Sequence, residues 1–184
     1  KIFNKIILST DSNLRKKIAK KYKIDLHWRP GKLSDSSAKI NDLCLEIIDK
    51  LKISQLKNSN IAVLYATAPE RNNKDIIKLY SLFKRKNANF GIGMTKFNFS
   101  PLQALKIEKE ILKPLFKNLI SQKKSSESKF YAGNGSMYLA KTKAFMKYKN
   151  FYGPKLIGYE MPLHKSIDID SFEDYLNLKK INKL

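Results

Sequence analysis

Short apolar runs, each closed by a polar turn and followed by helically spaced apolar residues, set the rhythm of the chain. Lys5-Ile6-Ile7-Leu8 is the first run, and Ser9-Thr10-Asp11-Ser12 closes it, which predicts strand, turn and helix cap. Leu14, Ile18 and Tyr22 mark the helix that follows. Leu26-His27-Trp28 predicts a second strand, ended by Arg29-Pro30-Gly31. A loop through Ser36 and Ser37 then leads to a helix bearing Ile40, Leu43, Cys44, Ile47, Ile48 and Leu51. Ile61-Ala62-Val63-Leu64-Tyr65 is continuously apolar, the pattern of a strand buried on both faces. After Ala66-Thr67-Ala68-Pro69-Glu70-Arg71 a helix is expected from Asp75, with Ile76, Ile77, Leu79, Tyr80 and Phe83, and a further strand at 90–95. Strands alternating with helices in this way predict parallel βαβ units in one α/β domain spanning 1–184.

The rhythm breaks over residues 96–133. Pro101 and Pro114 interrupt it, Leu105-Lys106-Ile107 can pair with the run from Ile111 to Leu115 around Glu108-Lys109-Glu110, and 121–128 is a polar loop. An excursion of this length in a compact domain is usually a lid or an oligomer arm. Order returns with Asn134-Gly135-Ser136-Met137-Tyr138-Leu139, a short helix and a strand at 156–161. Near the end, Ser166-Ile167-Asp168-Ile169-Asp170-Ser171 predicts a strand end that runs into a helix. Ser171 is its N-cap, Asp174 the capping-box partner, and Phe172, Tyr175, Leu176 and Ile181 its apolar face.

Composition changes this picture little. A hydrophobic content of 42% and 11% aromatics suit a globular fold. The net charge of +21 invites a nucleic-acid reading, but only four of the 37 basic residues are arginines (Arg15, Arg29, Arg71 and Arg85). Phosphate and base recognition leans on arginine forks, whereas here lysines are spread along the whole chain. Specific nucleic-acid binding and a membrane partner are therefore not expected. The lone Cys44 falls in a helical core pattern, reduced, and the cytoplasm is the expected compartment. His27 and His164 are isolated and are expected to be structural.

The candidate chemistry lies in the acidic pair. Among few acids, Asp168 and Asp170 stand at i and i+2 between isoleucines, a spacing that puts both carboxylates on one side of an extended segment. Mg2+ takes one or two carboxylates plus substrate phosphate oxygens, which this spacing offers. A capped helix start with one solvent-facing aspartate is the alternative. In parallel α/β sheets, ligands bind outside the carboxyl ends of strands. The segments around Asp11, from Tyr65 to Arg71, and from Asp168 to Asp170 all occupy such positions.

Taken in order, Ile7-Leu8-Ser9-Thr10-Asp11, Arg29-Pro30 with Leu33-Ser34, Thr67-Ala68-Pro69, Asn134-Gly135-Ser136-Met137-Tyr138 and Ser166-Ile167-Asp168-Ile169-Asp170 resemble the cytidylyltransferases that activate sialic acid and related nonulosonic acids as CMP-sugars. The likeness covers nearly the whole chain. It implies a Rossmann-like, mostly parallel α/β nucleotidyltransferase fold, Mg2+, and a homodimer whose protruding arm, here 96–133, reaches the partner's site. It also implies an activity in surface-glycan synthesis, in which the sugar's anomeric hydroxyl attacks the α-phosphorus of CTP and pyrophosphate leaves. Carried over residue by residue, Asp168 and Asp170 become the metal carboxylates. Arg29 and Ser36 or Ser37 lie against the nucleotide, and Asn134 belongs to the sugar side. Arg71 falls on the arginine that follows the T-S-P segment of sialate enzymes. Asp11, Tyr65, Thr67 and Gln103 complete the expected substrate contacts.

The chain also departs from that pattern. Tyr65 stands where sialate enzymes usually have glutamine, Gln103 replaces a residue that is often basic, and Ala132-Gly133 lacks an arginine ahead of Asn134-Gly135. Tyr65-Ala66-Thr67-Ala68-Pro69 and Pro101-Leu102-Gln103-Ala104-Leu105 look closer to the pseudaminate branch, whereas Asn134-Gly135 looks closer to the sialate branch. The resemblance further implies a strand and a basic, glycine-containing phosphate loop ahead of the Ser9-Thr10-Asp11 strand. The sequence given opens at that strand, so it reads as an N-terminally shortened piece, expected to bind CTP weakly and to turn over no sugar alone. Two other classes stay open at this point: a non-catalytic relative that binds a sugar or a partner subunit, and a basic nucleic-acid-binding domain.

Overall fold

The computed structural model describes residues 2–35, 37–120 and 129–181. Ser36 and the polar loop expected at 121–128 lie outside the described residues. In chain order the elements are β1 (Ile7–Thr10), α1 (Asn13–Tyr22), β2 (Asp25–Trp28), α2 (Ile40–Lys50), β3 (Asn60–Leu64), α3 (Asn73–Arg85), β4 (Phe90–Lys96), β5 (Leu105–Glu108), β6 (Ile111–Pro114), β7 (Tyr131–Lys141), α4 (Thr142–Tyr148), β8 (Leu156–Glu160) and α5 (Phe172–Ile181). They fall into two compact units. One consists of Lys1–Ile61, Ala88–Phe90 and Leu139–Leu156, the other of Ala62–Asn87, Gly91–Tyr138 and Ile157–Leu184.

The first unit opens with the βαβ unit that the apolar pattern predicts. β1 and β2 pair in parallel, with Ile7 opposite Asp25 and Thr10 opposite Trp28. Ser12 caps α1 by accepting from the Arg15 N–H, and Lys23 ends it in the left-handed region at φ 52°. The helix buries only Ala19, while Leu14, Ile18 and Tyr22 are exposed. α2 turns Leu43, Cys44 and Ile48 inward. Cys44 is a free buried thiol whose pKa burial pushes up to about 12, so it is neither nucleophile nor ligand at neutral pH. His27 is structural: it is buried, with Nδ1 3.0 Å from Ser9 Oγ and Nε2 2.7 Å from Glu46 Oε2. Phe145 of α4 is fully buried, its ring centroid 4.7 Å from that of Phe151.

The second unit carries most of a four-stranded sheet in the order β3-β7-β4-β8. The run at 61–65, expected to be buried on both faces, is only half-buried in β3, because β3 lies at the edge of the sheet. The deeply buried strand is β4, where Phe90, Gly91, Ile92 and Gly93 are all inside. α3 covers it. Asn72 accepts from the Lys74 and Asp75 N–H groups, and Asp75 accepts from the Asn72 N–H, which closes a reciprocal capping box. The helix turns Asp75, Leu79 and Phe83 inward at four-residue spacing. Leu79 and Phe83 each contribute about 2–3 kcal/mol by leaving water. A Cβ at Gly91 would stand 3.3 Å from Leu79 Cδ1 and 3.4 Å from Phe83 Cδ2, so this glycine sets how closely helix and sheet approach.

β5 and β6 form the antiparallel hairpin that the pattern at 105–115 suggests, with Ile107 opposite Leu112 and Glu108 opposite Ile111. Lys109 and Glu110 turn the chain with φ 49° and 66°, the paired positive values of a two-residue hairpin turn. One face presents Lys106, Glu108 and Lys113, whose ion pairs measure 2.9 and 2.7 Å. The other presents Leu105, Ile107 and Leu112, all exposed.

Residues 166–170 form no strand ladder, contrary to the expected strand end. Ile167 and Ile169 are half-buried, and the segment is held by the Ile169 N–H donating to Thr67 O at 2.9 Å. The predicted cap is present. Ser171 donates to Asp174 Oδ2 from N–H (2.8 Å) and hydroxyl (2.7 Å), the Asp174 N–H returns to Ser171 Oγ (3.2 Å), and these bonds hold the Asp174 carboxyl below its ordinary value. The expected apolar face of α5 does not form a core: Leu178 is buried, whereas Phe172, Tyr175, Leu176 and Ile181 are exposed. Among the described residues, no helix is long and apolar enough to cross a membrane.

Candidate functional site

Within the second unit, three stretches distant in sequence converge: the turn after β3 with the start of α3, the middle of β7 and the segment after β8. Asn134, in β7, is the central polar side chain. It is buried, and its Nδ2 donates to Ser166 Oγ (3.0 Å) and Met161 Sδ (3.2 Å). Its Oδ1 accepts from Ser136 Oγ (3.0 Å) and the Ser136 N–H (3.3 Å). Both amide protons and the carbonyl oxygen are therefore committed within the protein. Gly93 of β4 makes room for this group, since a Cβ there would stand 2.7 Å from Asn134 Oδ1 and 2.8 Å from Ser136 Oγ.

Arg71 follows the Thr67-Ala68-Pro69 turn. Its Nη1 and Nη2 each donate to Tyr65 O at 3.2 Å, and Nη1 also donates to Ser136 O. The Tyr65 N–H donates to Ser136 O at 3.2 Å, so one guanidinium braces the end of β3 against β7. Burial lowers the Arg71 pKa, against an opposing pull from Asp75. The half-buried Tyr65 ring lies 5.6 Å, centroid to centroid, from Tyr138.

Asp75 forms a second polar centre that the sequence pattern did not mark beyond a helix start. It is buried, with Lys165 Nζ 3.0 Å from its Oδ2 and Tyr159 OH 3.2 Å from its Oδ1. Burial alone would raise its pKa. The Asn72 N–H, Lys165 and Tyr159 together outweigh that and hold the carboxyl below its ordinary value.

Asp168 is half-buried. Its Oδ1 is buried without a hydrogen-bond partner among the described residues, and its Oδ2 lies against Gly135, at φ 69°. An orphaned carboxylate oxygen is costly unless a cation or a donor reaches it. Asp170 is exposed, and its backbone N–H donates to Asp174 Oδ2 at 3.2 Å. Among the described residues no group of three or more His, Cys, Asp or Glu forms a cage for a metal ion. A cation here would draw the rest of its ligands from a phosphate or water, the habit of Mg2+.

Thr67 is exposed and engages Ile169 through its carbonyl. Gln103 is exposed in a one-turn 3-10 helix before β5. In the first unit, Arg29 donates to Ser9 O at 3.0 Å and keeps a buried Nε without a partner among the described residues, Asp11 is exposed, and Ser37 bonds the Asp35 carboxylate at 2.7 and 2.8 Å. Sequence reasoning missed Gly93, Ser136 and the Asp75–Lys165–Tyr159 cluster. The doubled glycine of Gly91-Ile92-Gly93 inside a strand was the one available signal, since glycine within a strand marks close approach.

The fold is mixed α/β, with parallel and antiparallel strand pairs. Its likeness to the solved structure of CMP:2-keto-3-deoxy-manno-octonic acid synthetase complexed with CTP has a TM-score of 0.62 over 98% of this chain and 82% of that one, at 8% identity. No protein-family model matches the chain. Curated relatives carry the likeness further. The pseudaminic acid cytidylyltransferase of Campylobacter jejuni is 26% identical over 176 residues, covering 94% of this chain and 75% of the relative. The N-acylneuraminate cytidylyltransferase of Escherichia coli is 26% identical over 95% of this chain and 41% of its own length. The CMP-N,N'-diacetyllegionaminic acid synthase of Legionella pneumophila is 24% identical over 97% of this chain and 78% of its own. The chain is thus similar, over nearly all its length, to the nonulosonate cytidylyltransferases that its ordered motifs resemble.

Proposed function

We propose that the protein is a nucleotidyltransferase that transfers the cytidylyl group of CTP to the anomeric hydroxyl of a nonulosonic acid and releases pyrophosphate. One observation carries this reading. Three kinds of nonulosonate-activating enzyme align with 94–97% of the chain, and Thr67, Arg71, Asn134 and Asp168 fall in stretches that hydrogen bonds or close packing join in one unit. In the reaction a bond forms from the sugar oxygen to the α-phosphorus, and the bond from that phosphorus to the pyrophosphate oxygen breaks. The hydroxyl proton is lost. Such transfers depend on positioning and charge stabilisation more than on covalent catalysis.

Asp168 and Asp170 would hold Mg2+, and the orphaned Asp168 oxygen fits that role. The ion supplies positive charge to the phosphate oxygens and to the departing pyrophosphate. Arg29 and Ser36 or Ser37 are assigned to the nucleotide, and Asp11, Tyr65, Thr67, Arg71 and Gln103 to substrate contacts. Asn134 serves the sugar side through the backbone it holds. A cytoplasmic setting accords with the use of CTP and with the free thiol of Cys44. The exposed Leu105, Ile107 and Leu112 face of the hairpin supports a homodimer, since apolar side chains left in water gain by association.

The test is a pyrophosphate-release assay with CTP and Mg2+. It is run on protein expressed from its complete reading frame, against pseudaminic, N-acylneuraminic and legionaminic acids. Release dependent on one of these acids is expected. Equal release without any acid would instead make the protein a CTP hydrolase.

A further inference from the structure

Gly135 is the point where the Asn134 network meets the Asp168 carboxylate. Its φ of 69° lies in the left-handed region, which glycine adopts freely and other residues at a cost. The space where a side chain would begin is already filled: a Cβ at 135 would fall well inside the van der Waals boundary of Asp168 Oδ2, with Asp168 Cγ at 3.0 Å. The carboxylate therefore lies directly on the β7 backbone, close enough that only a hydrogen fits between them. On the same side of the segment, Asn134 Nδ2 holds Ser166 Oγ at 3.0 Å, and Ser166 Oγ in turn donates to Pro162 O at 3.0 Å. Three residues after Ser166, the Ile169 N–H is pinned to Thr67 O. Asp168 is thus bracketed by an anchor on each side and rests on Gly135, while its other oxygen, Oδ1, stays buried without a partner among the described residues.

We propose that Asn134 and Gly135 are positioning residues for the Asp168 carboxylate. Asn134 fixes the Ser166 end of the segment, and Gly135 supplies the bare backbone on which Oδ2 rests, so that Oδ1 is aimed away from the protein's own donors and toward a cation. This deepens the proposed function and rests on its assignment of Asp168 as the metal carboxylate. It gives Asn134-Gly135 an indirect part in the reaction, because the Asn134 amide has no proton left for a substrate and Gly135 has no side chain to offer one. Left-handed geometry alone would favour glycine at 135 whatever residue stood at 168. The proposal instead requires that the two positions be coupled.

The coupling is read from thermal unfolding and Mn2+ binding of the full chain, using Gly135→Ala, Asp168→Gly and the double variant, with Ser166→Ala as a milder companion that breaks the Asn134 contact at a half-buried hydroxyl. Gly135→Ala is expected to lower Tm substantially in the wild-type background and much less in the Asp168→Gly background, where only the left-handed strain remains. Folding of the double variant where Gly135→Ala alone fails would be the extreme form of the same result. Equal loss of Tm in both backgrounds, or failure to fold in both, would assign Gly135 to the backbone turn alone and overturn the proposal. With Mn2+ as probe, followed by electron paramagnetic resonance in the presence of CTP, Asp168→Gly should abolish binding and Ser166→Ala should weaken it roughly tenfold, about 1.4 kcal/mol. Wild-type affinity in Asp168→Gly would remove the metal assignment and this proposal with it. Lost binding in Asp168→Gly but wild-type affinity in Ser166→Ala would keep the metal assignment and overturn the positioning role of Asn134.

Discussion

Lys165 Nζ lies 3.0 Å from Asp75 Oδ2 across 90 residues of sequence, tying the first turn of α3 to the turn that leads into residues 166–170. Both groups are largely withdrawn from water, so removing one leaves the other poorly solvated. Asp75→Asn should cost about 2 kcal/mol of stability at neutral pH. Because the folded-state pKa of Asp75 is depressed, its contribution is present above the unfolded carboxyl value of about 4 and is lost as pH falls through the lower folded value. Urea titrations from pH 7 down to pH 2 should show the wild type losing this increment on acidification, with Asp75→Asn lacking that part of the acid limb. Parallel pH profiles for the two proteins would contradict the assignment.

Asp170 offers a cleaner test of chemistry than of folding. Its side chain is exposed, so Asp170→Asn should change stability by less than about 0.5 kcal/mol. It should nevertheless remove most CMP-sugar formation, since a neutral amide cannot balance the cation that steadies charge on the phosphates. Matched melting curves and a product assay check both halves together.

How much of this was legible in the sequence differs from element to element. Periodicity found the β1–α1–β2 unit, α3, the hairpin and the Ser171–Asp174 cap, because each is fixed by local signals: a polar stop, a four-residue apolar spacing, a reciprocal cap. It overestimated the burial of Ile61-Ala62-Val63-Leu64, since an apolar run does not reveal whether its strand ends up central or at the edge. The same limit explains α5, whose spacing suggested a core face but which buries only Leu178. The two compact units were not visible at all. Each is assembled from discontinuous segments, so no linker marks their boundary. At the candidate site, Asp168 was singled out through its company, whereas Gly93 and the Lys165–Asp75 pair became meaningful only once remote strands and turns were brought together.

The hairpin yields a prediction about assembly. Ile107 and Leu112 are cross-strand partners on its exposed apolar face. If that face joins two copies of the chain, Ile107→Glu should bury an unpaired charge in the interface and shift sedimentation equilibrium from dimer toward monomer. Wild type and variant both sedimenting as monomers at high micromolar concentration would count against the arm.

Cys44 should be silent. With its pKa raised to about 12 by burial, the native protein should resist thiol-specific reagents at pH 8 and react at once in denaturant. Rapid native labelling would mean that α2 opens readily.

The central claim, cytidylyl transfer to an acidic sugar, is tested most directly by following the α-phosphorus itself. CTP labelled at that position is incubated with Mg2+, a nonulosonic acid and protein expressed from its complete reading frame, and the products are separated. Label should appear in a CMP-sugar in step with pyrophosphate, from at least one of the three acids, and should vanish with Asp168→Asn. Label that stays in CTP with all three acids, or passes only to free CMP at the same rate in wild type and Asp168→Asn, would contradict the account.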